Sequence, residues 1–336
     1  MLKCLLSVYV TPEDIKEELK RLFKEHDIKL EIIPFQRFYT EDELLEVLKD
    51  IDGVLAGLDP FTKRVIKNSK RLKIIARVGV GYDNVDVKAA TENNVVVTWT
   101  PIPELAKGVA DEAAALMLAV LRRITFLDKK MREGIYYTKD YHHLIQDVYP
   151  LTAGIVGLGR IGTEFAKRCL GFGMKVQYYD IVRRQEVEKE LGVKYVNFEE
   201  LLRTSDVISI HTPLTPETKG LIGEKELKIM KKNAVIINTA RGAIIDEWAL
   251  YKALKEKRIF GAGISVFTKE PLEEGHPFYK LKDELDNLVL LPHEGVAFHT
   301  IKAIFQASAN DVIAVLEGRK PKYPLNPEVL DKVGLK

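Results

Sequence analysis

Residues 152–180, TAGIVGLGRIGTEFAKRCLGFGMKVQYYD, decide the fold. The apolar run 152–157 has the length and composition of a buried strand. It passes directly into Gly157, Gly159 and Gly162, spaced G-x-G-x-x-G, where a helix starts whose buried face is Ile161, Phe165 and Cys169. A second strand, 174–179, ends at Asp180, 18 residues beyond Gly162. Gly157 allows a tight turn, Gly159 lets a pyrophosphate approach the backbone, and Gly162 lets helix and strand pack closely. The helix start at Arg160 and Ile161 presents backbone N–H groups and the positive dipole end to phosphates. Asp180 is placed to accept hydrogen bonds from two ribose hydroxyls and to repel a 2′-phosphate. The expected cofactor is therefore NAD rather than NADP, with Arg183 and Arg184 as solvated surface groups.

Outward from this unit, strands are expected at 206–210, 233–238, 260–265 and 287–291, with helical stretches between most of them. Six such strands match a doubly wound nucleotide-binding sheet. The first hundred residues form a similar alternating series, with apolar runs at 2–10, 29–33, 53–57, 73–76 and 95–98. Ile15, Leu19, Leu22 and Phe23 share one face of a helix between the first two runs. Alternation of this kind implies parallel sheets covered on both faces. One long helix is expected over 103–125 and another over 299–318, before an irregular end. Tyr136, Tyr137, Tyr141 and Tyr149 crowd a segment without a period. It is either an irregular loop on its own domain or an arm packed on another subunit, since dense aromatics suit interfaces.

Composition narrows the function classes. The 336 residues suffice for two domains with sizeable cores, and 51 basic against 49 acidic side chains leave a net charge of +2, without the basic excess of a nucleic-acid binder. Two cysteines, Cys4 and Cys169, cannot form a disulfide framework or a structural zinc site. The N-terminal MLKCLLSVYV reads as a buried strand rather than a leader, and AAALMLAVL at 113–121 is too short to span a bilayer. A soluble, cytoplasmic protein acting without membrane or nucleic acid is expected. Adjacent His142 and His143 do not share a face, no carboxylate cluster accompanies them, and no metal site is expected.

The chain resembles the D-2-hydroxyacid dehydrogenase family, in its phosphoglycerate-dehydrogenase-like branch, through a series of co-ordered segments. These are RVGVGYDNVDVKAA at 77–90, GLGRIG at 157–162, HTPLTPETKGLIG at 211–223, INTARGAIIDEWAL at 237–250, GAGISVFTKEP at 261–271 and LLPHEG around His293. The resemblance implies an α/β protein with a Rossmann NAD-binding domain at 101–298 and a smaller flavodoxin-like substrate domain at 1–100 and 299–336. Two crossings imply a hinge whose closure expels water. It implies a homodimer built through 103–125 and 135–149.

By the same resemblance, Arg241 binds the carboxylate and keto oxygen of a 2-oxo acid, Glu270 orients the imidazole, and His293 is the general acid/base. The chemistry calls for these types independently. Hydride transfer to a carbonyl develops negative charge on oxygen, so a proton donor must stand beside it. A carboxylate beside an imidazole favours the protonated ring, and a guanidinium grips a 2-oxo acid in a planar way that lysine cannot copy. Thr212 and Pro213 are expected to approach the cofactor and Thr239 and Ala240 to lie beside it, with Arg241, His293 and Gly295 also binding the cofactor and His211 lining the cleft without catalysing. The backbone of Val78, Gly79 and Val80 is expected to meet the substrate carboxylate as an anion nest.

Three positions depart from the family pattern. Ser265 stands where an aspartate usually holds the nicotinamide carboxamide, so Ser265→Asp is expected to tighten NADH binding or raise turnover. Trp99 replaces a common asparagine and Asp111 a usual glutamate. Arg77 is placed to contact a substrate phosphate, but GLDP at 57–60 lacks a second arginine for 3-phosphoglycerate. A small 2-oxo acid of the glyoxylate, hydroxypyruvate, pyruvate or 3-phosphoglycerate type is the expected substrate, the last without support from a second arginine. The rivals are a dinucleotide-sensing protein of the same fold and phosphite- or formate-oxidising relatives, the acidic Glu270 counting against the formate type.

Overall fold

The computed structural model describes residues 1–8, 10–32, 37–136, 141–281 and 287–336. Tyr137 of the aromatic segment, Ile33 of the second apolar run and Tyr9 of the first lie outside the described residues. Backbone contacts divide the chain into one unit of Met1–Leu105 with Phe298–Lys336 and a second of Ala106–Ala297.

The first unit holds strands β1 (Leu2–Leu6), β2 (Ile28–Ile32), β3 (Gly53–Ala56), β4 (Ile74–Arg77) and β5 (Val96–Thr98). They form a parallel sheet in the order β2-β1-β3-β4-β5, the flavodoxin-like arrangement. The helix Glu13–Glu25 buries Ile15, Leu19 and Phe23, with Leu22 half-buried beside them. The helix Phe298–Leu316 packs so tightly on β3 that a Cβ at Gly53 would stand 3.0 Å from Val312 Cγ1. The chain end closes the far edge, where the Asn326 side chain accepts from Val97 N at 2.8 Å and Leu325 N donates to Val97 O at 2.7 Å.

The second unit holds β6 (Thr152–Val156), β7 (Lys175–Tyr179), β8 (Lys194–Tyr195), β9 (Val207–Ile210), β10 (Val235–Asn238), β11 (Gly261–Ile264) and β12 (Leu288–Leu290). Their order, β12-β11-β10-β9-β6-β7-β8, is parallel throughout and reverses direction between β6 and β9. That is the doubly wound pattern, with its ligand crevice at the carboxyl ends of the strands beside the reversal. One face is covered by the helices Pro103–Leu121 and Arg160–Gly171, the other by Phe198–Thr204, Glu224–Ile229 and Glu247–Lys255. The edge strand β8 is absent from the sequence reading because two half-exposed or exposed residues give no period to detect.

The helix expected to run over 103–125 ends at Leu121. Arg123 breaks it, with φ at +51°. Its buried guanidinium donates to Leu144 O at 3.2 Å and Phe260 O at 3.0 Å and lies 4.1 Å from the Phe260 ring centroid. These contacts hold the side chain inside the unit and turn the backbone before the next helix, Ile124–Arg132.

One packing register positions the site. Val120, Leu116 and Glu112 recur every four residues on one helix face, while Gly261, Gly263 and Ser265 recur every two residues along one face of β11 and its continuation. A Cβ at Gly261 would meet Val120 Cγ1 at 2.6 Å, and one at Gly263 would meet Leu116 Cβ at 2.9 Å. The two glycines let helix and strand approach closely. The next step of the register brings Glu112 onto Ser265.

Candidate active site

The dinucleotide loop has the expected geometry. Gly157 has φ at +93° and would drive a Cβ to within 3.0 Å of the His211 carbonyl, so the β6 loop and the segment after β9 touch. At Gly162 a Cβ would fall 2.1 Å from Gly157 O, whereas at Gly159 it would meet nothing within 4 Å. The loop is thus closed where it packs and open where a phosphate would approach. The first-turn amides at Arg160 and Ile161 have no acceptor within their own helix.

Asp180 stands just beyond β7 and is fixed by the loop itself. It accepts from Leu158 N at 2.9 Å and from Val182 N at 3.1 Å, and Arg184 Nε stands 3.8 Å from its Oδ2. Arg183 is held by Glu188 in a two-pronged pair, with both contacts at 2.9 Å, and so is not poised for a 2′-phosphate.

Beyond β9, His211 packs on the Phe165 ring at 5.1 Å between centroids, and its Nε2 pairs with Ser209 Oγ at 2.8 Å. Desolvation pushes its pKa down to about 3, which favours the neutral ring. Thr212 is half-buried and Pro213 exposed beside it. After β10, Asn238 organises the turn: its Oδ1 accepts from Ala240 N at 3.0 Å and its Nδ2 donates to Arg241 O at 2.9 Å. This brace fixes the backbone that carries Arg241, whose Nη1 donates to Ala240 O at 2.8 Å. Thr239 Oγ1 in the same turn is buried without a partner among the described residues. A bound polar group is the natural means of satisfying it.

The reactive cluster follows β11 and β12. Glu270 accepts from Phe267 N through Oε1 at 2.9 Å and meets His293 Nδ1 through Oε2 at 2.7 Å. Burial opposes its charge, but the His293 contact and the nearby Arg241 outweigh burial and hold its pKa below the usual carboxylate value. His293 sits at φ +58°, a backbone conformation uncommon for a side chain of this size, and remains partly exposed. With Nδ1 committed to Glu270, Nε2 is the nitrogen left to face a substrate. Arg241, Glu270 and His293 thus come together within one unit.

The segment expected to meet the substrate carboxylate lies in the other unit, just after β4. Val78 N donates to Ala56 O at 3.0 Å and Gly79 N to Thr100 Oγ1 at 2.7 Å, so these two amides are engaged internally. Val80 N has no partner among the described residues, which narrows the expected three-residue nest to Val80. Arg77 corrects the phosphate expectation: it is buried and turned inward, donating to Ala56 O at 2.8 Å and Val78 O at 3.0 Å. Asp111 faces outward and pairs with Arg168 Nε at 2.6 Å.

Glu112 and Asn238 escaped the sequence reading. Glu112 Oε1 accepts from Ser265 Oγ at 2.7 Å, and its Oε2 lies where a Cβ on Gly295 would come within 2.8 Å. The signal was present as the four-residue recurrence of Glu112, Leu116 and Val120 opposite G-x-G-x-S, but a carboxylate in an alanine-rich helix stood out only once the two elements were paired. No group of three or more potential metal ligands occurs among the described residues.

Comparison with known proteins agrees with this geometry. Residues 114–295 match the model of the NAD-binding domain of D-isomer specific 2-hydroxyacid dehydrogenases. The chain belongs to the D-2-hydroxyacid dehydrogenase family. It is 41% identical over 328 residues to the glyoxylate reductase of Korarchaeum cryptofilum, covering 96% of each chain. It is 43% identical over 330 residues to that of Thermococcus litoralis, covering 96% of this chain and 97% of the relative. A D-lactate dehydrogenase from Aquifex aeolicus, complexed with NAD and lactic acid, superimposes with a TM-score of 0.83 at 28% identity over 94% of this chain and 96% of that one. As a member of this family the protein is an NAD-dependent oxidoreductase. The open loop at Gly159, the orphaned Thr239 hydroxyl and Asp180 at the strand end fit that cofactor, which supplies the hydride donor or acceptor when bound.

Proposed function

We propose that this dehydrogenase reduces glyoxylate with NADH, with hydroxypyruvate and pyruvate as alternative substrates. The observation that carries the reading is the 2.7 Å pair between His293 Nδ1 and Glu270, in the same cluster as Arg241. Glu270 fixes the imidazole so that Nε2–H gives its proton to the carbonyl oxygen as negative charge develops there. Arg241 holds the substrate carboxylate and keto oxygen and opposes that charge. Two relatives named glyoxylate reductase, at 41% and 43% identity over nearly the whole chain, support the small substrate. The inward Arg77 disfavours a phosphorylated one.

The unit of Met1–Leu105 with Phe298–Lys336 is then the substrate domain, and Ala106–Ala297 is the NAD domain. Exposed Ile124, Met131, Tyr136 and Tyr149 support a homodimer formed through this region. Two buried free thiols, Cys4 and Cys169, suit a reducing cytoplasm. A panel of 2-oxo acids, followed by NADH absorbance, tests the substrate assignment: glyoxylate is expected to give the highest kcat/KM, and a larger acid exceeding it tenfold would overturn that assignment.

A further inference from the structure

The family pattern places an aspartate at the position of Ser265, and this chain has a hydroxyl there instead. The carboxylate has not been lost from the neighbourhood. Ser265 is buried directly after β11, and its Oγ donates to Glu112 Oε1 at 2.7 Å. Glu112 Oε2 lies on the Gly295 side, and no protein group donates to it among the described residues. Glu112 as a whole is half-buried rather than sealed. Gly295, which Glu112 Oε2 adjoins, follows His293 by two residues, which puts the carboxylate at the His293 end of the site. Burial pushes its pKa up, a cost of desolvation that a charge-assisted donor from a ligand would offset. The register of helix on strand explains how it arrived there: with Val120 against Gly261 and Leu116 against Gly263, the next four-residue step falls on Ser265.

We propose that Glu112 replaces the family aspartate, with Ser265 holding its Oε1 in place while Oε2 accepts the N–H of the nicotinamide carboxamide. A carboxylate carried by the helix thereby does from the side what the strand residue does elsewhere in the family, and Ser265 is its positioning residue. This rests on the NAD-dependent reading and is independent of which 2-oxo acid is reduced. It also changes the sign of the expectation for Ser265→Asp. A second carboxylate introduced at 265 would face Glu112 across a hydrogen-bond distance, and like charges so close oppose each other.

The test is binding, measured by calorimetry with NADH and with ADP-ribose, which lacks the nicotinamide. Glu112→Gln keeps the shape and loses the charge. It is expected to raise the NADH Kd about tenfold, the scale of a lost charge-assisted hydrogen bond, while the ADP-ribose Kd changes less than about twofold. Ser265→Asp alone is expected to weaken NADH binding, and Ser265→Asp combined with Glu112→Gln to restore it. An unchanged NADH Kd in Glu112→Gln would overturn the proposal, as would equal weakening of NADH and ADP-ribose, the mark of a merely structural role. Tighter NADH binding in Ser265→Asp with Glu112 intact would overturn it too. Because turnover is not the readout, any of these results leaves the substrate assignment standing, and failure on the 2-oxo acid panel leaves this one standing.

Discussion

At the residue scale, the proposed chemistry turns on which nitrogen of His293 is left for a substrate. Glu270 occupies Nδ1, so on that reading His293→Asn removes the proton donor at Nε2. Turnover is expected to fall by about 10²–10⁴, with the NADH Kd from calorimetry nearly unchanged. Arg241→Lys keeps the charge but loses the planar grip, so kcat/KM for glyoxylate should drop at least about tenfold without weakening NADH; a collapse of NADH affinity instead would move Arg241 to the cofactor. If Asp180 is the ribose acceptor we propose, Asp180→Ala removes both that acceptor and the repulsion of a 2′-phosphate, and the NADH-over-NADPH ratio of kcat/KM should shrink. Asp180 was legible from its spacing after the glycines, whereas Arg241, Glu270 and His293 were picked out only through the family resemblance of the segments that carry them; what the structure adds is that the three lie together. Glu112 was not, because its meaning depends on a partner 153 positions away. Arg77 was legible as a residue type but not as a direction: only the carbonyls of Ala56 and Val78 show that it points inward.

At the scale of elements, the G-x-G-x-x-G loop and the strands around it were the easiest to foresee, since apolar runs and glycines fix both period and boundary. The break after Leu121 was harder. The helix-forming residues continue through it, and what stops the helix is a buried arginine whose acceptors, Leu144 and Phe260, are distant in sequence. The closeness of helix Arg160–Gly171 to β6 depends on Gly162, where a Cβ would overlap the Gly157 carbonyl at 2.1 Å. Gly162→Ala is therefore expected to lower stability by about 1–3 kcal/mol through overpacking and to weaken NADH and ADP-ribose binding together, in contrast to Glu112→Gln. A calorimetric melt alongside the two titrations distinguishes these cases.

For the whole molecule, pH acts on folding as well as on catalysis. His211 is neutral in the fold, with its pKa pushed down to about 3, against about 6.5 when unfolded. A depressed folded pKa means that its contribution to stability is complete above the unfolded value and is lost as pH falls from about 6.5 toward 3. A His211→Gln variant should show a shallower loss of Tm across that window. The parallel order of both sheets followed from alternating periods in the sequence, whereas assembly does not follow from such patterns, and sedimentation at micromolar concentration decides the proposed dimer. The central claim is that the Glu270–His293 pair delivers the proton for NADH-dependent reduction of a small 2-oxo acid. Its most direct test compares single-turnover glyoxylate reduction by wild type and His293→Asn, each saturated with NADH. The account predicts rapid loss of NADH absorbance in the wild type and a rate lower by about 10²–10⁴ in the variant; equal rates in the two would contradict it.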